Sequence, residues 1–457
     1  MRLSANTLAG LPHDVARPAY SREQGFGIVH FGIGAFHRAH QAWYTDHCLR
    51  KGERDWMISG VSLRSATVHD RLLPQDGLYT LIERSNANEK MEVIGAVGEV
   101  LVAGPDRQAI INRIAAPDCR IASFTVTEKG YCRAADGSLD FDNAARGFYP
   151  IVGEALAIRM KQGLPGITLL SCDNLSGNGK QLHRLTAEWL ASGNSDLAQW
   201  FEDKCTAPET MVDRIVPATT GNDLARLAAR LGMGDEGAVF TEPFSQWVVE
   251  DGFANGRPSW DHFGAQLVAD VRPYETAKLR MLNGAHSLLA YCGLIAGHEF
   301  VHEAIADPRL NRLAKSLMAE AMATITPGPG QNLDRYSEEL LHRFANSSLN
   351  HRLEQIAMDG SQKIPQRWLE TLAERQDQGL ASPSILTGIA CWLRHIRGDA
   401  GKIDDPMADR LANAWAEHGK SGVFDRVFAA GGLISSPWTP NAESRATVIA
   451  ALDKNQI

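Results

Sequence analysis

Two hydrophobic patterns divide this chain. Up to about residue 270, short apolar runs alternate with stretches of helical spacing: GIVHFGI (27–33) leads into FHRAHQAWYTDHCLR, and WMISGVSL (56–63) follows at the distance a β-α-β unit requires. LYTLIER and KMEVIGAV, around a polar SNANE turn, predict an antiparallel pair inserted after the second strand. RIASFTVTEKGY (120–131) and GITLLSCDNLSGNGK (166–180) each predict a buried strand that runs into a polar loop. The glycine-rich DGFANGRPSW (251–260) predicts the start of a crossing to a second domain. Beyond Pro273 the apolar period is helical, broken at ADPRL, TPGPGQN, ASPS and GDAGKIDDP. The pattern therefore predicts an α/β domain over 1–272 and a mainly α-helical domain over 273–457.

Composition narrows the partners. A chain of 457 residues exceeds one ordinary core, and 44% hydrophobic with 22% charged residues is a globular balance. A net charge of -8 argues against nucleic acid or an anionic membrane as partner, which leaves a small molecule. The seven cysteines are scattered and never form a CxxC pair, so neither a disulfide framework nor a zinc site is expected. With no signal-peptide pattern at the N-terminus and no apolar run near the ~18 residues of a membrane span, a cytoplasmic protein is expected.

Candidate chemistry sits at strand ends and on one helix. Gly32, Gly34, Ala35, Phe36 and His37 form a sharp junction after the first strand. The glycines permit a tight turn, and the helix start offers N–H groups to a pyrophosphate; His37 stands where the usual fingerprint has a third glycine. A plain strand-to-helix turn explains the same residues. The second strand ends in Arg64, not in the acidic residue that would hold an adenosine ribose, so Arg64 could stack on adenine, meet a 2′-phosphate or be solvated. Thr127, Glu128 and Lys129, and then Asp173 and Asn174, follow strands where ligands of open α/β sheets gather. Asp213 and Arg214 lie inside an apolar run, where charge is costly unless paired.

In PYETAKLRMLNGAHSLLAY (273–291), a uniform α-helix with Lys278 at zero puts Glu275 at about 60°, His286 at about 80° and Asn283 at about 140°. All four share one side with leucines, which reads either as a partly buried polar site or as satisfied core polars. Gly284 costs helix stability and is expected to admit a ligand close to the backbone, or else to serve helix packing. His351, Arg352, Lys363 and Arg367 form a basic cluster around a turn at Asp359-Gly360, suited to hydroxyls, a carboxylate or a phosphate, or simply surface charge.

Taken together, GIGAFHRAH, TVTEKGY, SCDNLSGNG, MVDRIVPAT, PYETAKLRMLNGAH and IAMDGSQKIPQR resemble the polyol-specific long-chain dehydrogenases, the mannitol dehydrogenase family. The resemblance implies a Rossmann-type N-terminal domain, a helical C-terminal domain, an active site in the cleft between them, NAD as cofactor with NADP not excluded, and no metal. It matches the family's Lys-x4-Asn-x2-His to Lys278, Asn283 and His286, its second catalytic asparagine to Asn174, and its proton-exit glutamate and site aspartate to Glu275 and Asp213. Some relatives carry an arginine where this chain has Gln355, which shifts suspicion for substrate binding to Arg352 and Lys363. The implied reaction is metal-free hydride transfer between a hexitol or pentitol, D-mannitol first, and its 2-ketose, with Lys278 as general base. The HR...IAMDGSQK.PQR stretch also resembles the mannonate oxidoreductases, or fructuronate reductases. A nucleotide-binding regulator without turnover is the reading from another class. A monomer is compatible with the resemblance, and the oligomeric state stays open.

Overall fold

Five short strands form the central sheet: β1 (Ile28–Phe31), β2 (Ile58–Ser62), β5 (Val97–Val102), β6 (Ile121–Phe124) and β7 (Thr168–Ser171). Their order is β5-β2-β1-β6-β7, and every pair is parallel. Both faces of β1, β2, β6 and β7 are covered and every position in them is buried, so their apolar residues do not alternate with exposed polar ones. Val29 and Phe31 pack on one side with Val61, Ala122, Phe124 and Leu169. Ile28 packs on the other with Ile58, Ile121 and Leu170. The computed structural model describes residues 1–86 and 88–452.

The inserted pair is β3 (Tyr79–Arg84) and β4 (Glu89–Ile94), antiparallel with Tyr79 opposite Ile94. β9 (Val239–Thr241) extends it in parallel on the β3 side. The KMEVIGAV run does not stay in this pair. At Gly95, where a Cβ would lie 2.7 Å from the Pro18 ring, the chain turns away, and Val97 begins the edge strand of the central sheet. A third sheet joins β8 (Thr210–Asp213), β10 (Gln246–Glu250) and β11 (Gln266–Val268) in the order β11-β10-β8. Because β11 still pairs with β10, the chain crosses over later than the 251–260 turn suggested. The two units are Met1–Val271 and Arg272–Ile457.

The second unit is helical. Its hub is the helix Gly284–Ile295, in which Gly284 through Gly293 are all buried. The helices Pro308–Met322, Leu353–Ala357 and Pro383–Arg397 surround it. A helix enclosed on every side must be apolar on every side, so the few polar side chains on this hub and its lead-in stand out. No described helix is long and apolar enough to cross a membrane.

Candidate functional site

In the first unit the turn after β1 is fixed by sterics. Gly32 has φ +99, and a Cβ there would lie 2.0 Å from the carbonyl oxygen of Thr125 at the end of β6, so only glycine fits. Gly34 differs. Its Cβ would meet nothing nearer than Gly32 O at 3.8 Å, so the turn leaves room beside an exposed backbone. Ala35 and Phe36 open the next helix, Ala35–Ala39, and are half-buried.

His37 turns the other way. Its ring lies under the turn, stacked on His30 of β1 with centroids 3.4 Å apart and 14° between planes. A third glycine normally lets helix and strand pack closely; here an imidazole fills that space, so the His37 side chain is not presented to a ligand. Neither His37 ring nitrogen has a hydrogen-bond partner among the described residues. Burial, with His30, His40 and Arg38 nearby, holds its pKa well below the usual histidine value. His30 is better satisfied, within 2.8 Å of both Ser123 Oγ and Thr125 Oγ1. The signal for this pair was a histidine inside the apolar run of β1.

The loops after β6 and β7 are tied together by Asp173. One carboxylate oxygen accepts from the Val126 N–H and the other from the Thr127 N–H, each at 2.9 Å. The Tyr131 hydroxyl donates at 2.9 Å. Thr127 sits at φ 64, ψ 164, a strained conformation for a β-branched residue that costs about 1–3 kcal/mol. Asp173 supplies the bonds that hold it there. Burial raises the Asp173 carboxyl, opposed by these three donors. Asn174 follows immediately, exposed in the same loop, while Glu128 and Lys129 are exposed beyond Thr127, with Glu128 3.4 Å from Arg133. Arg64, past the end of β2, is also exposed. Of the charges in the 210–220 run, Arg214 takes the internal ion pair, 2.6 Å from Glu83, with Ala39 O and Glu242 O as further acceptors. Asp213 is buried at the end of β8.

In the second unit the lead-in to the hub is not one uniform helix. Arg272–Ala277 is α-helical, Lys278–Asn283 is a π-helical turn, and α-helix resumes at Gly284. The Gly284 N–H donates to Leu279 O, five residues back. The uniform 100° count therefore fails across the turn. Residues five apart, about 140° apart on an α-helix, come to nearly the same side when the backbone closes by i→i+5 bonds. Lys278 and Asn283 are five apart, so the Lys-x4-Asn spacing suits a π turn better than the α-helix it first suggests. Lys278 is buried, Asn283 and Glu275 are half-buried, and π turns concentrate at functional sites.

Gly284 serves packing. A Cβ there would lie 3.4 Å from Arg367 O and Leu317 Cδ2 and 3.5 Å from Trp368 Nε1. Those atoms belong largely to a second π turn, Pro365–Leu369, whose Trp368 indole donates to Gly284 O at 3.2 Å. His286 is buried beside Phe344 and His351, with ring centroids at 4.6 and 5.4 Å. Its Nε2 has no hydrogen-bond partner among the described residues, and burial, with His351, Arg343 and Arg367 nearby, keeps it neutral at ordinary pH.

The basic cluster around Asp359-Gly360 comes apart. Arg352 is exposed, paired with Glu299 at 2.7 Å and lying over the Phe300 ring. Lys363 donates to Met358 O at 2.6 Å, and burial and Arg367 lower its pKa. Arg367 turns to the hub, where one nitrogen donates to Ser287 Oγ at 2.7 Å. Local acids and carbonyls claim the first two, an outcome that spacing along the chain does not encode.

Residues 26–262 match the model of the mannitol dehydrogenase Rossmann domain, and residues 270–427 match that of the mannitol dehydrogenase C-terminal domain. The chain belongs to the mannitol dehydrogenase family. D-mannonate oxidoreductase of Escherichia coli is 39% identical over 96% of this chain and 95% of its own length. A mannitol 2-dehydrogenase of Pyrenophora tritici-repentis is 38% identical over 91% of this chain and 78% of its own. Among solved structures, Pseudomonas fluorescens mannitol 2-dehydrogenase in ternary complex with NAD and D-mannitol superposes with a TM-score of 0.85 at 33% identity, covering 99% of this chain and 96% of that one. A substrate-free D-sorbitol dehydrogenase gives 0.89 at 31%, covering 98% and 97%. This chain is thus an oxidoreductase of the mannitol dehydrogenase family, with a Rossmann-like first domain and a helical second one.

Proposed function

We propose that this oxidoreductase interconverts a secondary alcohol of an acyclic polyhydroxy substrate with its ketone, using NAD, with Lys278 as general base. The observation that carries the reading is the π turn that brings Lys278 and Asn283 to one side, with His286 beyond. D-mannitol and D-fructose are the pair suggested by the polyol-dehydrogenase relatives.

Room at Gly34 and the positive φ of Gly32 fit a pyrophosphate passing close to the backbone. Gly32, Gly34, Ala35 and Phe36 would hold it, with Arg64 toward the adenosine and the Thr127–Lys129 loop toward the nicotinamide. When bound, the nicotinamide exchanges the hydride with the substrate carbon. The chain supplies the rest. Lys278 takes the alcohol proton; such a base is worth roughly 10²–10⁴-fold. Amide N–H groups of Asn283 and Asn174 stabilise the developing alkoxide, on the order of 10²–10³-fold per donor. His286, held neutral, orients a neighbouring hydroxyl, while Glu275 and Asp213 would pass the proton onward or position it.

A second reading, an aldonate oxidised to its keto acid, is favoured by one observation: a half-buried arginine, Arg367, beside Asn283, with no carboxylate of the described residues within ion-pair distance. The test of both is initial rates with NAD and NADP against mannitol, arabinitol, sorbitol and mannonate, followed by nicotinamide absorbance. Turnover of at least one of these by the wild type supports the proposal. No turnover of any, with nucleotide binding intact, would favour a regulator without chemistry.

A further inference from the structure

We infer that Asp173 is a positioning residue of this site: its carboxylate holds the Thr127 turn in a conformation the turn would otherwise leave, and so sets the cofactor loop and Asn174 at one fixed offset. The inference rests on the reading that the Thr127–Lys129 loop meets the nicotinamide and that Asn174 meets the alkoxide.

Thr127 has φ 64 and ψ 164, a region essentially confined to glycine. Core packing does not force it there, because Thr127 and the two residues after it are exposed. One side chain holds it. Asp173 Oδ1 accepts from the Thr127 N–H and Oδ2 from the Val126 N–H, both at 2.9 Å, so the carboxylate spans the two peptides that lead into the strained residue. Oδ2 also accepts from the Tyr131 hydroxyl at 2.9 Å, at the far end of the same turn. Tyr131 is buried, and its oxygen lies 2.5 Å from Ser171 Oγ at the end of β7. With the Tyr131 proton given to Asp173, Ser171 is left to donate to Tyr131. Three donors thus converge on a group that, when ionised, can only accept.

The backbone of Asp173 is placed as firmly. Its carbonyl accepts from Asn178 Nδ2 at 3.1 Å, and the same amide donates to Thr210 O at 2.9 Å while Asn178 Oδ1 accepts from the Thr210 N–H at 3.0 Å. Thr210 Oγ1 in turn donates to Ser171 O at 2.6 Å. Asp173 is therefore fixed to the buried residues of β7 and β8 and reaches from there to the loop after β6. The next residue in the chain is Asn174. Strain like that of Thr127 persists only where the surroundings over-determine it, and it concentrates at functional sites. A misplacement of about 1 Å can cost a reaction about 10²-fold, so this link gives Asp173 a hold on the reaction without touching substrate.

The test compares Asp173→Asn, Tyr131→Phe and Asn174→Ala with wild type. NADH is titrated by its fluorescence, and rates on mannitol, arabinitol, sorbitol and mannonate are taken at saturating cofactor, well below each thermal midpoint. Asp173→Asn keeps the shape but offers one oxygen, and its NH2 faces a backbone donor. It should raise the NADH Kd by about tenfold and lower kcat per NADH-binding site by about 10–10²-fold. Tyr131→Phe removes one of the three donors and should shift both quantities the same way by about threefold; if Asp173→Asn does not fold, this variant decides. An aspartate that served the fold alone would lower the thermal midpoint and the fraction of sites that titrate, with Kd and kcat per site as in wild type. That result overturns the inference, as does a change in Kd without one in kcat. Asn174→Ala separates the two layers, since it should lose turnover with NADH affinity kept. If it turns over at the wild-type rate, the reading of Asn174 fails and with it the link to the alkoxide; if it loses turnover while Asp173→Asn matches wild type, only the positioning role fails.

Discussion

The glycine turn of the first unit and the π turn of the second solve opposite problems. At Gly32 the neighbours dictate everything: the Thr125 carbonyl leaves no space for a Cβ, and a ligand would meet backbone. At Lys278–Asn283 the backbone departs from the α-helix on either side, and a ligand would meet polar side chains on the lead-in to an apolar hub. The contrast teaches where chemistry can be altered without losing the fold. Binding built from backbone is rigid to substitution, and catalysis built from side chains is separable from stability.

The largest expected effect is on the side-chain region. Lys278→Ala should lower kcat by roughly 10²-fold or more, because loss of a general base acts on the transition state. Steady-state kinetics at saturating cofactor checks this.

How much of this contrast the sequence carried depends on the physics of each part. The central sheet was legible because strands buried on both faces leave apolar runs such as IVHF and TLLS. The exit of Val97 into that sheet was not, because it turns on Gly95 meeting Pro18, nearly eighty positions earlier. Lys278, Asn283 and His286 were visible as polar residues in an apolar helix, yet their angles were misjudged because apolar periodicity does not announce an i→i+5 turn. His37 was read as a ligand contact, and its stacking on His30 depends on helix rotation that spacing does not fix. Arg352 and Lys363 were grouped by proximity in sequence, but Glu299 and Met358 O separate them.

The backbone region should respond in stability instead. Gly32→Ala forces a Cβ against Thr125 O at positive φ, which strains the turn twice over, and should cost roughly 2–5 kcal/mol. A thermal midpoint within a degree or two of wild type would mean that the turn relaxes and the contrast is false.

Acid should act on both regions alike, and more mildly per group. His30, pushed down to about 3 by burial, and His37 sit under the glycine turn, while His286 lies beyond the π turn. Each has a folded pKa below its unfolded value of about 6.5, so the unfolded state binds more protons once pH falls below that value. Stability should be full above pH 6.5 and fall as pH drops toward 3, by about 1.4 kcal/mol per pH unit for each such histidine. Urea unfolding from pH 7.5 to 4.5 reads this, and a flat profile would mean that these rings are protonated in the fold.

The most direct test of the division of labour is a crossed pair of variants. Lys278→Ala and Gly34→Ala are titrated with NADH and assayed for turnover at saturating cofactor. Gly34→Ala puts a methyl group where the turn leaves room for a pyrophosphate, so its NADH dissociation constant should rise by about tenfold, with the loss recovered at saturation. Lys278→Ala should bind NADH within about twofold of wild type while turnover falls by roughly 10² or more. If both variants lose binding and turnover together, or if Gly34→Ala binds NADH as wild type does, backbone binding and side-chain catalysis are not divided between these two turns.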